Sequence, residues 1–129
     1  NKYTNINFIL RFLKNDEYLK LIQNSSFVIF SHEMKGGKHT SGPMIDSILN
    51  YRPFIAPDKY PFNYYTNKYN VGILYKKGNK KSLLNAISKA KKLGAEYFKS
   101  NIKKLIEEKF NWEKLSKKME KICKQHFDI

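Results

Sequence analysis

The chain has a single cysteine, no long apolar run and no readable set of metal ligands. Each of these features excludes a class of protein. Cys123 stands alone, which excludes an internal disulfide and a cysteine-based zinc site and fits a reducing compartment. No apolar run is long enough to cross a bilayer, and residues 1–7 lack the pattern of a signal peptide. His32 and His39 share one loop, but His126 lies far along the chain, so no three-ligand metal set is readable. We therefore expect no metal, no cofactor and a cytoplasmic location.

Acidic residues are also scarce. Asp and Glu number 11 against 25 Lys and Arg, so the net charge is +14. A positive charge of this size attracts nucleic acid, acidic lipid headgroups or nucleoside diphosphates. Nearly all the basic residues are lysine, and they accompany abundant Asn, Ile, Tyr and Phe, a mixture typical of AT-rich coding bias. The lysines are spread over every predicted helix and no nucleic-acid-binding motif is present, so we expect no specific nucleic-acid partner. An acidic membrane surface, with a peripheral position at its inner face, stays open as a second reading of the charge.

Composition and periodicity predict a single α/β domain. Of the 129 residues, 41% are hydrophobic, enough for a globular core. Short apolar runs alternate with longer amphipathic ones, which predicts a Rossmann-like parallel sheet of about four or more short strands, with helices on both faces and further helices at the C-terminal end. The domain begins on a strand with no β–α unit before it, so we expect it to be truncated at its N-terminal side. We expect strands at residues 6–12, 26–31, 54–56 and 72–75. We expect helices at 17–24, 42–50, 80–93 and 95–109, and one helical turn within 61–67. A last helix is predicted from the apolar stripe Trp112, Leu115, Met119 and Ile122.

Four residues are predicted to mark helix ends. Asn15 or Asp16 would cap the first helix, since short polar side chains accept hydrogen bonds from free amides there. By the same rule Asn79 and Asn111 would begin two later helices, and Gly94 would end the first of these.

The loop before residue 42 carries the first candidate site. Ligands of open parallel sheets bind beyond the carboxyl ends of the strands, where this loop is expected to lie. Its last residues combine a cation, two hydroxyls, a glycine and a helix start, which together suit phosphate. An ordinary capped helix after an exposed loop would give the same pattern. The candidate phosphate ligands are Lys38, His39, Thr40, Ser41, Gly42 and Pro43.

Asp46 is the second candidate. It lies one turn into the predicted helix, off the apolar face formed by Ile45, Ile48 and Leu49. A carboxylate there can accept hydrogen bonds from a ribose diol while the helix start holds a diphosphate. The alternative is a surface acid that stabilises the helix dipole.

Several short motifs follow one another in an order that is similar to a known family. A helix and a strand lead to an exposed loop, a small-residue turn opens a helix with an acidic residue, and a short strand follows a proline. A second strand begins with glycine, and an aromatic residue and a glutamate introduce the last helix. This order resembles the C-terminal, nucleotide-sugar-binding domain of group-1, family 4-like GT-B glycosyltransferases, from about residue 8 to residue 119. The corresponding residues are Ser41-Gly42, Asp46, Asn50 to Ala56, Gly72-Ile73-Leu74, Leu83 to Ile87 and Asn111-Trp112-Glu113.

The resemblance implies a function and places residues in it. Ser41, Gly42 and Pro43 fall at the turn that binds the donor's diphosphate, Asp46 falls at the ribose contact, and the backbone near Phe12 and Leu13 lies close to the base. The implied reaction transfers a sugar from a nucleotide-diphosphate-sugar donor to an acceptor hydroxyl. An N-terminal acceptor-binding domain, absent from this chain, would complete the enzyme, so the isolated domain would be inactive. Catalytic residues stay unassigned.

The sequence departs from the family pattern at three places. Asp46 is one methylene shorter than the usual glutamate, and Lys38 stands where the family carries a second glutamate that contacts the sugar. Glu33 is near but out of register, and the family's basic pair has no clear counterpart. These departures keep two alternatives open, a non-catalytic or degenerate transferase-like interaction module and a basic nucleic-acid-binding domain.

Overall fold

The computed structural model describes residues 5–31 and 40–127, where short parallel strands alternate with helices. Their order is α1 (Asn15–Asn24), β1 (Val28–Ile29), α2 (Gly42–Leu49), β2 (Phe54–Pro57), α3 (Phe62–Tyr69), β3 (Gly72–Tyr75), α4 (Lys80–Leu93), a 3-10 turn (Ala95–Phe98), α5 (Lys99–Lys109) and α6 (Trp112–His126).

The sheet has the order β1-β2-β3, and both strand pairs are parallel. Val28 pairs with Phe54, and Phe54 pairs in turn with Gly72. The predicted α/β class with a parallel sheet is therefore confirmed. The predicted strand number is not, because the described residues form three strands rather than four or more.

The missing strand is the one predicted at residues 6–12. This segment forms no ladder with β1, β2 or β3, and its apolar side chains are exposed, with Leu10 at 92% and Phe12 at 96%. A strand exists only when its backbone groups are paired, and an apolar pattern cannot supply a partner. The predicted strand at 26–31 is likewise reduced to Val28–Ile29, with Ile29 half exposed at the sheet edge.

The core surrounds the central strand. All four residues of β2 are buried, and since successive side chains point to opposite faces, both faces of this strand are covered. Helices α3 and α4 both pack on β2 and β3, and α5 adds Ile102 and Leu105, which are fully buried. Gly72 is required where β3 passes β2, because a Cβ there would lie 2.6 Å from the carbonyl oxygen of Phe54.

Local signals determine where most helices begin and end. Asn79 caps α4 by accepting from the amide of Ser82 at 2.9 Å, Gly94 ends it with a φ of +76°, and Asn111 caps α6, all as predicted. The first helix differs, because it begins at Asn15 after Lys14, whose amide donates to the Glu17 side chain at 3.1 Å. Helix α3 is two turns long rather than one, and the predicted helix at 95–109 begins as a 3-10 turn.

Helix α6 stands apart from the core. None of its residues is buried, and of its predicted apolar stripe Trp112 is 82% exposed and Met119 is 66% exposed. Within the described ranges, no helix combines the length and apolar character needed to cross a bilayer.

Candidate functional site

The start of α2 is built by Ser41, which is 3% exposed. Its hydroxyl accepts from the amide of Met44 at 3.3 Å, and its carbonyl accepts from the amide of Ile45 at 3.1 Å. Pro43 in the first turn suits this position, because its missing N–H would have no helical partner. The sequence left Ser41 either as a phosphate ligand or as an ordinary helix cap. In the structure its hydroxyl caps the helix.

The residues around this cap face solvent. Thr40, Gly42 and Pro43 are exposed, and a Cβ built on Gly42 would meet nothing within 4 Å in the described part of the chain. The amides of Met44 and Ile45 are bound by Ser41, so Gly42 is the first-turn residue whose N–H has no partner among the described residues. The helix start thus offers one accessible amide and the positive end of the dipole, rather than a row of free amides.

Asp46 is partly buried and is held by a residue that the sequence interpretation missed. The hydroxyl of Tyr18, in α1, donates to Asp46 Oδ2 at 3.2 Å. Burial, followed by the charge and hydrogen bond of Asp46, raises the pKa of Tyr18 to about 12, so this hydroxyl is a neutral donor at physiological pH. The other carboxylate oxygen, Oδ1, has no partner within the described part of the chain. The contact spans 28 positions, and no sequence signal links the two residues.

Tyr18 also lines a cleft of about 470 Å³ together with Phe12 and Leu13. Phe12 and Leu13, which are predicted to lie near the base, therefore share a cleft with Tyr18. The Tyr18 hydroxyl in turn contacts Asp46, the predicted ribose ligand. The cleft is completed by Arg11 and Asn15.

An ion pair holds the cleft's chain segment against α1. Both terminal nitrogens of Arg11 donate hydrogen bonds to the carboxylate of Glu17, at 3.0 and 2.7 Å. The Arg11 hydrogen bonds, helped by the amide of Lys14, lower the pKa of Glu17. Both groups are solvated, so the pair orients the segment more than it stabilises the fold.

A second cleft, of about 560 Å³, lies where β2 and β3 end. It is lined by Asp58, Tyr75, Lys76 and Lys77, together with Leu74. The hydroxyl of Tyr75 donates to the carbonyl of Phe30, just after β1, at 2.9 Å, so the carboxyl ends of all three strands meet at one edge. Two lysines at that edge supply positive charge that the sequence interpretation did not assign to a site.

The structure leaves several other candidates untested. Lys38, His39, His32 and Glu33 lie outside the described residues, so the phosphate contacts predicted for Lys38 and His39 stay predictions. His126 ends α6, where its Nδ1 contacts the carbonyl of Ile122 at 3.0 Å. Among residues 5–31 and 40–127, no three His, Cys, Asp or Glu side chains are grouped to hold a metal ion.

Comparison with known proteins adds no relative. No protein family matches the chain, and no curated protein and no solved structure shows significant similarity to it. The resemblance to GT-B transferases therefore stays an expectation drawn from the motifs alone.

Proposed function

We propose that this chain is the donor-binding domain of a cytoplasmic glycosyltransferase of the GT-B type, which binds a nucleotide-diphosphate-sugar. The observation that carries the proposal is the position of Tyr18. Tyr18 lines the cleft formed with Phe12 and Leu13, and its hydroxyl contacts Asp46, one turn beyond the exposed start of α2.

The arrangement offers each part of a nucleotide a suitable contact. The base occupies the cleft against the exposed ring of Phe12. The ribose diol donates to Asp46 Oδ1, which the Tyr18 hydroxyl leaves free. Gly42 lies four residues before Asp46, about 6 Å along the helix axis, a separation that a ribose 5′-diphosphate spans. The Gly42 amide and the helix dipole then face the diphosphate.

The proposed reaction is a displacement at the anomeric carbon of the sugar. The bond from that carbon to the diphosphate oxygen breaks, a bond to the acceptor oxygen forms, and the acceptor's proton is lost. This domain contributes stabilisation of the leaving diphosphate, an electrostatic effect that grows as charge develops. The acceptor requires a second domain, so we expect this chain alone to bind donor weakly and not to turn over.

Calorimetric titration with UDP, GDP and ADP tests the proposal. One nucleotide should bind in preference to the others, and Asp46→Asn should weaken it about 10- to 100-fold, as expected for a lost hydrogen bond to a charged group. Asp58→Asn is the matched control, because it removes the same charge from an exposed position outside the nucleotide cleft. Equal affinities for the two variants, or no binding by folded protein at millimolar nucleotide, would contradict the proposal.

One observation favours a second candidate, a non-catalytic interaction module. The Tyr18–Asp46 hydrogen bond joins α1 to α2, which gives the aspartate a structural task without any ligand. In that case Asp46→Asn would lower the unfolding midpoint and leave nucleotide affinity unchanged. Measuring stability and affinity on the same variant separates the two functions.

A further inference from the structure

Helix α6 carries two distinct faces and packs neither into the core. Trp112, Leu115, Met119 and Ile122 recur every three or four residues, so they form one apolar stripe. Three of them are at least 45% exposed, and Phe127 extends the exposed apolar surface beyond the helix end. An apolar stripe left in water along the length of a helix indicates a contact surface.

The opposite face is basic. Helix α6 has five lysines against two glutamates, and none of the lysines lies on the stripe, although Lys118 borders it beside Ile122. Lys117 pairs with Glu113 at 2.7 Å and Lys124 pairs with Glu120 at 2.6 Å. The remaining three lysines, Lys114, Lys118 and Lys121, have no ion partner among the described residues.

The charge of the chain favours one of three occupants of this surface: a second copy, a nucleic acid or an anionic bilayer. A second copy would offer an apolar stripe, but each copy has a net charge of +14, so the two would repel. A nucleic acid would attract the lysines but leave the stripe in water. An anionic bilayer surface receives both faces, because the apolar stripe enters the acyl boundary while the lysines stay among the headgroups.

We propose that α6 is an interfacial membrane anchor that binds bilayers containing anionic lipid. The helix lies in the plane of the interface, about 22 Å long at 1.5 Å per residue. Trp112 begins the stripe, and Phe127, also exposed, follows the end of the helix. The proposal does not rest on the proposed nucleotide site.

The fluorescence of Trp112 can report membrane binding, because Trp112 is the single tryptophan of the chain and lies on the stripe. The full chain is mixed with vesicles of phosphatidylcholine alone, or with about one-third phosphatidylserine. Tryptophan emission should shift to shorter wavelength, and become protected from iodide, with the anionic vesicles only. Lys118→Gln and Lys121→Gln should each weaken binding about fivefold at low salt.

A matched pair of variants separates the apolar face from bulk charge. Met119→Glu and Gln125→Glu each add one negative charge at an exposed position of the same helix, Met119 on the apolar stripe and Gln125 among the lysines. Because Met119 would otherwise be buried in the bilayer, its variant should bind at least about tenfold more weakly than the Gln125 variant. Neither position is in the core, and circular dichroism checks that both variants keep the helix.

Five outcomes would overturn the proposal. Four of them are the absence of a shift with anionic vesicles, equal binding to pure phosphatidylcholine, equal affinity of the two variants, and a Trp112 shift with random duplex DNA but not with vesicles. A stable dimer in sedimentation that already shields Trp112 would also overturn it, and would assign the stripe to a second copy.

Discussion

Replacing Gly72 by alanine should destabilise the sheet where β2 and β3 pair. The new Cβ would lie 2.6 Å from the carbonyl oxygen of Phe54 and 2.7 Å from its ring carbons. Phe54 is fully buried and its backbone is part of the ladder, so neither atom moves aside without shifting the strands. Overpacking of this kind costs about 3 kcal/mol, which for a chain of this length lowers the unfolding midpoint by roughly 10 °C.

Urea unfolding followed by circular dichroism measures this cost, and Gly42→Ala is the matched control. A Cβ on Gly42 meets nothing within 4 Å among residues 5–31 and 40–127, so that variant should stay within about 1 kcal/mol of the parent. The same methyl group would stand close to the amide that faces the diphosphate, so Gly42→Ala should weaken nucleotide binding while sparing stability. A Gly72→Ala protein within about 0.5 kcal/mol of the parent would refute the packing argument for β2 and β3.

Three further predictions concern the core, the cap and the tyrosine. Ile102→Ala, at a fully buried position, should cost about 2–5 kcal/mol in urea unfolding, whereas Ile122→Ala on α6 should cost under about 0.5 kcal/mol; equal costs would show that α6 is packed. Ser41→Ala should cost about 1 kcal/mol in the same assay through loss of the cap, and no loss would contradict it. The pKa of Tyr18 is raised in the folded chain, so the stability that neutral Tyr18 contributes is complete below pH 10. This contribution is lost as the pH rises toward 12. The unfolding midpoint should therefore fall more between pH 9 and about 11.5 in the parent than in Tyr18→Phe, and equal falls would contradict the raised pKa of Tyr18, whose first cause is burial.

Elements with complete local signals were predictable from the sequence. Strand β3 occupies residues 72–75 as expected, because a short apolar run is bounded there by polar residues on both sides. Helix α4 has its asparagine cap, its apolar spacing and its terminal glycine in the sequence itself. Such features depend on residues within one or two turns of each other, which a pattern can contain.

Elements that depend on distant partners were not predictable. The apolar run at residues 6–12 has the composition of a strand but no paired neighbour among the described residues, so it stays unpaired. The stripe of α6 has the spacing of a core helix, yet the structure leaves Met119 in water. The Tyr18–Asp46 contact depends on how α1 packs on α2. Periodicity shows that a face is apolar, but it does not name what covers that face.

In the proposed nucleotide site, the start of α2, Asp46 and the cleft beside Tyr18 bind one ligand together. Titration of isotope-labelled protein with the preferred nucleoside diphosphate, followed by amide NMR, measures whether they do. Saturable shifts should cluster at Phe12, Leu13, Gly42 and Asp46, with a common dissociation constant. Shifts confined to the lysines of α6, or no shifts at millimolar nucleotide in a folded sample, would contradict the proposed site.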